Sequence, residues 1–170
     1  TSNGVPIDED KTLDFTNYET LRTSVKSERF NIEPGYVTAR LNFDREPRFY
    51  ADLGFDGGIW YKKDSPSTND VNTFYAQTKY ADKGGAPSTL SWNETGYYLK
   101  KLVNWEQVFG DNNSSTYVSY PWPEIRLADI YLAYAEALNE AQPASPEALV
   151  YLDKVRARAG LKGVAESWTN

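Results

Sequence analysis

The sequence predicts a mainly α fold, a helical hairpin near the C-terminus preceded by aromatic-rich loops and short strands. Three observations carry this reading. Between residues 121 and 163, apolar side chains recur at three- and four-residue steps in two runs separated by the turn AQPASP. Upstream, glycine, proline and polar runs interrupt the chain repeatedly, leaving only short stretches of strand propensity. Aromatic residues make up 15% of the chain, with thirteen tyrosines and five tryptophans.

Taken in order, residues 1–10 mix glycine, proline and acids without periodicity and read as a loop. Residues 11–30 carry a marginal helical face, Leu13, Tyr18, Leu21 and Val25, with Asp14 or Thr16 as a cap. Pro34 and Gly35 set a turn within 31–36. Residues 37–41 lead toward Asp44 as a helix or an extended segment. After the run REPR, residues 48–53 and 55–61 are expected to be strands that pair around Gly57 and Gly58. A polar loop at 62–70 precedes a strand at 71–79 around Phe74 and Tyr75. The stretch DKGGAPS, 82–88, has the composition of the most flexible part of the chain. Residues 95–103 and the run TYVSY at 116–120 read as strands, with a polar run at 111–116 before the second.

The first helix of the hairpin starts after Pro123, because proline suits the opening turn of a helix and disfavours its interior. Leu127, Ile130, Tyr131, Tyr134, Leu138 and Ala141 share one face, which this reading requires to be buried. Arg126, Asp129, Ala133, Glu136 and Glu140 form a second stripe. Ser145 is the expected cap and Pro146 the first position of the second helix. Its inward face is Leu149, Leu152, Val155 and Ala159. Gly160 ends it in a left-handed conformation, Arg156 and Arg158 complement the helix dipole, and Leu161 folds back onto the last turn. A lone hairpin cannot cover both of its faces, so this one is expected to belong to a larger helical array. Residues 1–120 are thus read as a loop-rich aromatic segment with short strands and 121–163 as the hairpin. Both are expected to be parts of one domain that these residues do not complete.

Composition removes several function classes. The chain has no cysteine and no histidine, which excludes disulfides, cysteine or histidine metal sites and every triad with a histidine base. A net charge of -6 and an isoelectric point near 4.8 argue against nucleic acid as a partner, since the phosphate backbone calls for a basic face. No apolar run reaches bilayer-spanning length and no signal peptide opens the sequence, so any membrane anchor is expected outside these residues.

The run RLADIYLAYAEALNE, followed by LDKVRARAGL, resembles the SusD/RagB family of nutrient-binding outer-membrane lipoproteins. In that family an Arg-x-x-Asp helix with a later Ala-Glu-Ala precedes a helix ending in Val-Arg-x-Arg-x-Gly-Leu. Upstream, TARLNFDREPRFYADLGFDGGIWY resembles the family's segment around an acidic-Pro-Arg-Phe-Tyr motif, so the resemblance covers roughly residues 37–161. It implies a SusD-like fold with tetratricopeptide-like helical units and a binding protein that is not an enzyme. It further implies capture of an oligosaccharide or other nutrient at the cell surface and delivery to a SusC-like TonB-dependent outer-membrane transporter. An outer-membrane, cell-surface lipoprotein location follows from the same resemblance, with no cofactor and no metal. The matched motif positions, 45–50 and 126–136, read as scaffold, so no binding residue transfers by motif.

Candidate ligand-binding residues therefore come from the side chains alone: Trp60, Tyr61, Tyr18, Tyr36 and Trp92. Rings on loops or beside glycines stack against pyranose faces while neighbouring Asp, Asn and Lys groups hydrogen-bond the hydroxyls. The bland alternative for each ring is core packing, the commoner fate of an aromatic, with Trp60 and Tyr18 the preferred exceptions. Asp52 and Asp56 would share one face of an extended segment, as a glycosidase pair must, but nothing completes an acid/base constellation and no catalytic residue is assigned. Arg126 and Asp129 read as structural, paired with each other or through Asp129 to Arg45 or Arg48. Residues 111–113 lack the spacing of a calcium loop. A second function stays open beside capture, a helical-repeat protein interaction module with no small ligand.

Overall fold

The computed structural model describes residues 1–62, 73–87, 93–104, 106–109 and 115–168. Most of the expected loop at 62–70, Trp92 and the polar turn at 111–113 lie outside them. The chain divides into two compact units: residues 1–14, 44–47 and 121–170, and residues 15–43 and 48–120.

The second unit is built around Ile32, Phe43, Phe49 and Phe55, with Tyr50, Leu53 and Tyr97 packed against them. Burying each large apolar side chain in such a cluster contributes roughly 1.5–3 kcal/mol. A short helix, α1 (Pro47–Asp52), stands where strand 48–53 was expected. Pro47 opens it, and the helical turn sends the adjacent rings of Phe49 and Tyr50 to the same neighbour, Phe55, at 5.0 and 5.9 Å between centroids. A strand would have turned those two rings to opposite faces. Asn42 is buried and tied to this cluster: its side-chain amide donates to Thr38 Oγ1 at 2.9 Å, its Oδ1 accepts from Tyr97 and its backbone carbonyl from Tyr50.

Among the described residues the strands are short and form two-stranded antiparallel sheets. β1 (Leu21–Thr23) pairs with β2 (Val37–Ala39), β3 (Leu53–Gly54) with β6 (Tyr98–Leu99), β4 (Ile59–Lys62) with β5 (Thr73–Tyr75), and β7 (Val108–Phe109) with β8 (Ser115–Thr116). The expected pairing of 48–53 with 55–61 does not form. Gly57 and Gly58 are threaded between two neighbours instead: Gly57 donates to the Ala76 carbonyl at 2.8 Å and accepts from Glu33 at 2.9 Å, and Gly58 accepts from Ala76. The helical face expected across 11–30 is absent too. Strand β1 and a 3-10 turn at Lys26–Glu28 occupy it, held by the Glu28 carboxylate, which accepts from the Val25 amide and the Arg22 guanidinium at 2.8 Å each. Residues 37–41 take the extended alternative, as β2, before a 3-10 turn at Arg40–Asn42. Of the strands expected at 95–103 and 116–120, only the short β6 and the end of β8 form. Asn93 folds the chain ahead of β6 by accepting from the Thr95 amide.

The first unit holds the hairpin: α2 (Leu127–Ala141) and α3 (Pro146–Arg158), followed by a short α4 (Val164–Ser167). Pro146 takes the first helical position, and Gly160, with φ +75°, ends α3 in the left-handed region that glycine enters at little cost. Ser145 occupies the cap position, but its side chain makes no capping bond. Leu161 folds back as expected and is buried, its amide donating to the Arg156 carbonyl at 3.0 Å. The buried face of α2 differs from expectation. Small residues, Ala135 and Ala148, are the buried positions of the two helices, with Tyr134 edge-on to Tyr151 at 4.7 Å, whereas Leu127 and Ile130 are 59% and 54% exposed. Apolar side chains occupy more of the α2 circumference than one neighbouring helix covers, so α3 takes one strip and leaves another open. No helix among the described residues is long and apolar enough to cross a membrane.

Candidate ligand-binding site

The polar centre of the second unit is assembled on the turn before β2. The Ser24 amide donates to the Tyr36 carbonyl at 2.9 Å, the Tyr36 amide donates to Ser24 Oγ at 3.1 Å, and Ser24 Oγ donates to the Glu33 carbonyl. Gly35, at φ +79°, lets the chain reverse here. Tyr36 is thereby aimed at Asp56, which follows the core residue Phe55. Its hydroxyl donates to Asp56 Oδ1 at 2.8 Å, and the Thr78 amide donates to the same oxygen at 3.1 Å. Lys79 completes the group, with Nζ 3.6 Å from Asp56 Oδ2 and 4.6 Å from the centre of the Tyr36 ring. Tyr75 packs edge-on to Tyr36 at 5.4 Å.

The electrostatics fix the protonation of the phenol. Burial, and then the hydrogen bond to the Asp56 carboxylate, push Tyr36 above the ordinary tyrosine range, so it stays a neutral donor. Gly57, at φ +81°, lies directly beneath the ring; a Cβ there would run into it. Tyr36 is thus held from below by backbone, from the edge by Tyr75 and from the face by an ammonium, and its role is to position Asp56 and Lys79.

Next to it, the loop that sequence composition marked as the most flexible is closed by hydrogen bonds. Gly84 donates to the Gln77 carbonyl, Asp82 to Lys79, Gly85 to Asp82 and Ala81 to Ala86, all at 2.8–3.0 Å, and the Tyr98 hydroxyl donates to the Gly84 carbonyl at 2.6 Å. A Cβ at Gly85 would strike the Lys79 carbonyl. The glycines permit close backbone approach here. The loop presents Tyr80 at 80% exposure.

The model of the SusD family matches residues 1–170. The chain belongs to the SusD family. A solved structure, that of BT4246, is similar to it, at 29% identity with a TM-score of 0.71. The similarity covers 100% of this chain and 27% of that one, so the chain spans about a quarter of the length of the structure it matches. No curated protein matches it. The motif resemblance and the SusD-like fold expected from it thus agree with two separate comparisons.

The sequence-derived candidates of this SusD-family chain fall in different places. Tyr36 lies in the polar centre. Tyr18 lies on a turn, 49% exposed, with its carbonyl accepting from the Leu41 amide at 3.0 Å. Trp60 sits in β4 with its ring over Gly54, where a Cβ would collide with the indole. Tyr61 follows it in β4. Asp52 ends α1 while Asp56 accepts from Tyr36, so the two carboxylates do not share one face of an extended segment as expected. Arg126 and Asp129 do pair with each other, at 3.6 Å. Sequence reasoning missed Tyr75, Lys79 and Tyr80, and it weighed Asp56 only for catalysis. The signal available was the acid before a double glycine in FDGG, a place where side chains can approach the backbone closely.

Proposed function

We propose that this chain contributes the glycan-contacting surface of a SusD-family protein that captures oligosaccharide at the outer membrane and delivers it to a SusC-like TonB-dependent transporter. Family membership supports nutrient binding in an outer-membrane uptake system, by a binding protein and not an enzyme. The observation that carries the reading is the Tyr36, Asp56 and Lys79 centre beside the exposed ring of Tyr80. A carboxylate and an ammonium held by protein partners present an acceptor and donors at fixed positions, as sugar hydroxyls require, and an exposed ring offers the flat apolar face that pyranose C–H groups stack on. Preorganisation lowers the entropy lost on binding. We propose Tyr18, Trp60, Tyr61 and Trp92 as further ligand contacts, and a cell-surface lipoprotein location for the protein.

Isothermal titration of the chain with a panel of plant, microbial and host oligosaccharides tests this. Saturable heat with at least one glycan, reduced in Tyr80→Ala and in Trp60→Ala, is the expected result. Absence of heat with every glycan, from a chain shown to be folded by circular dichroism, overturns it.

A further inference from the structure

Tyr97 and Tyr98 are adjacent where the chain enters β6, and their hydroxyls serve different parts of the unit. Tyr97 packs on the hydrophobic cluster and donates to Asn42 Oδ1 at 2.9 Å. Tyr98, opposite Gly54 in the β3–β6 pair, donates to the Gly84 carbonyl at 2.6 Å. Leu53 of β3 packs on the same cluster as Tyr97, so the Tyr98 bond ties the 77–86 loop to the core of its unit.

That loop carries Tyr80 between two anchored neighbours. Lys79 is held by its amide, which donates to Asp82 Oδ2 at 3.2 Å, and by its ammonium, which donates to the Val37 carbonyl and faces Asp56. Ala81 stands at φ +69°, in the left-handed region that a residue with a Cβ rarely enters, and its amide donates to the Ala86 carbonyl at 2.8 Å. A bend of this kind persists only where its surroundings fix it, and such bends gather at ligand-binding segments. Bonds inside the loop supply part of the fixing, and Tyr98 holds the far limb from outside it.

We infer that Tyr98 is a positioning residue for glycan capture: without touching the ligand, its hydroxyl sets the place of the Tyr80 ring through Gly84. This inference rests on the reading of Tyr80 as a stacking surface. Stacking of pyranose C–H groups needs the ring face where the sugar lies, and a ring placed before the sugar arrives loses less freedom on binding. A residue that served the fold alone would alter unfolding and leave affinity unchanged. Tyr98 alters affinity, and does so only while Tyr80 is present.

Tyr98→Phe removes the hydroxyl and keeps the ring, and unchanged far-ultraviolet circular dichroism establishes that the variant is folded. Isothermal titration with the oligosaccharide that the parent chain binds most tightly is expected to give an affinity about three- to tenfold weaker, the worth of one neutral hydrogen bond. In a Tyr80→Ala background the same substitution weakens binding no further, because nothing is left to position. Parent affinity in Tyr98→Phe, or a loss that adds in full to that of Tyr80→Ala, overturns the inference. A readout without ligand separates it from the capture reading. In spectra of the chain carrying carbon-13-labelled tyrosine, with the Tyr80 ring signal assigned by its disappearance in Tyr80→Phe, Tyr98→Phe is expected to shift that signal. A shifted signal in a chain that binds no oligosaccharide overturns capture and keeps Tyr98 as the residue that places Tyr80, whereas an unmoved signal overturns the role of Tyr98 whatever the chain binds.

Discussion

Tyr36 and Asp56 lie 20 positions apart in the chain, yet the phenol donates to the carboxylate at 2.8 Å, and the polar centre is organised by that bond. Asp56 also accepts from the Thr78 amide and faces Lys79. Asp56→Asn removes the charge and leaves at least one donor poorly matched, so it should lower stability by about 1–3 kcal/mol, the usual cost of an unsatisfied group in a partly buried network. Tyr36→Phe loses a single neutral-to-charged bond and should cost less. Urea unfolding followed by near-ultraviolet circular dichroism checks both, and equal stability of Asp56→Asn and the parent would show that the centre is loosely held.

How far this arrangement could be read from sequence depends on its range. Features set within a few residues were legible: Pro146 opening a helix, Gly160 ending one, the Arg126 and Asp129 pair. A short aromatic run at Phe49 and Tyr50 satisfies strand propensity, and only Phe55 and the packed core decide that both rings must turn the same way. The Tyr36 and Asp56 bond joins segments whose pairing no periodicity announces. Gly84 and Gly85 show a third limit, since the composition of a flexible-looking stretch does not reveal that a Cβ at these positions would meet the Gln77 and Lys79 carbonyls.

Gly57→Ala tests the floor of the same centre. The residue combines φ +81° with a ring directly above its Cα, so both backbone strain and collision oppose a methyl group. A loss of about 1–3 kcal/mol is expected, with displacement of the Tyr36 ring visible in its side-chain NMR shifts. Gly35→Ala, where φ is +79° but no atom lies within 4 Å of the added carbon, carries the strain without the collision and should cost distinctly less.

Lys100 provides a pH-dependent signal. Its ammonium donates to the Tyr50 carbonyl at 3.0 Å and the Ile59 carbonyl at 2.7 Å, and burial lowers its pKa from 10.5 to about 8. Because the folded value is below the unfolded one, the unfolded chain holds more protons between those two pH values, and this group's contribution to stability rises with pH across that window. Below about 8 the charge is carried in both states and its burial cost is present in full. Titration of the lysine Nζ resonances should reveal one lysine near pH 8 that is missing in Lys100→Met; a spectrum in which every lysine titrates above 10 would remove the effect.

The two arginines of the VRAR run should respond in opposite ways to substitution. Arg156 ties three backbone turns together: Nε donates to the Lys162 carbonyl at 2.7 Å, Nη1 to the Gly4 carbonyl at 3.3 Å and Nη2 to Ser167 Oγ at 2.8 Å, while the guanidinium stacks 4.8 Å from the Trp168 ring centre. Arg158 is exposed at the last residue of α3. A lysine at 156 has neither the planar fork nor the stacking surface, so Arg156→Lys should lose about 1–3 kcal/mol despite keeping the charge, with altered tryptophan fluorescence as Trp168 is released. Arg158→Gln should leave thermal stability almost unchanged. If the two variants unfold together, the knot at Arg156 does not hold the end of the hairpin.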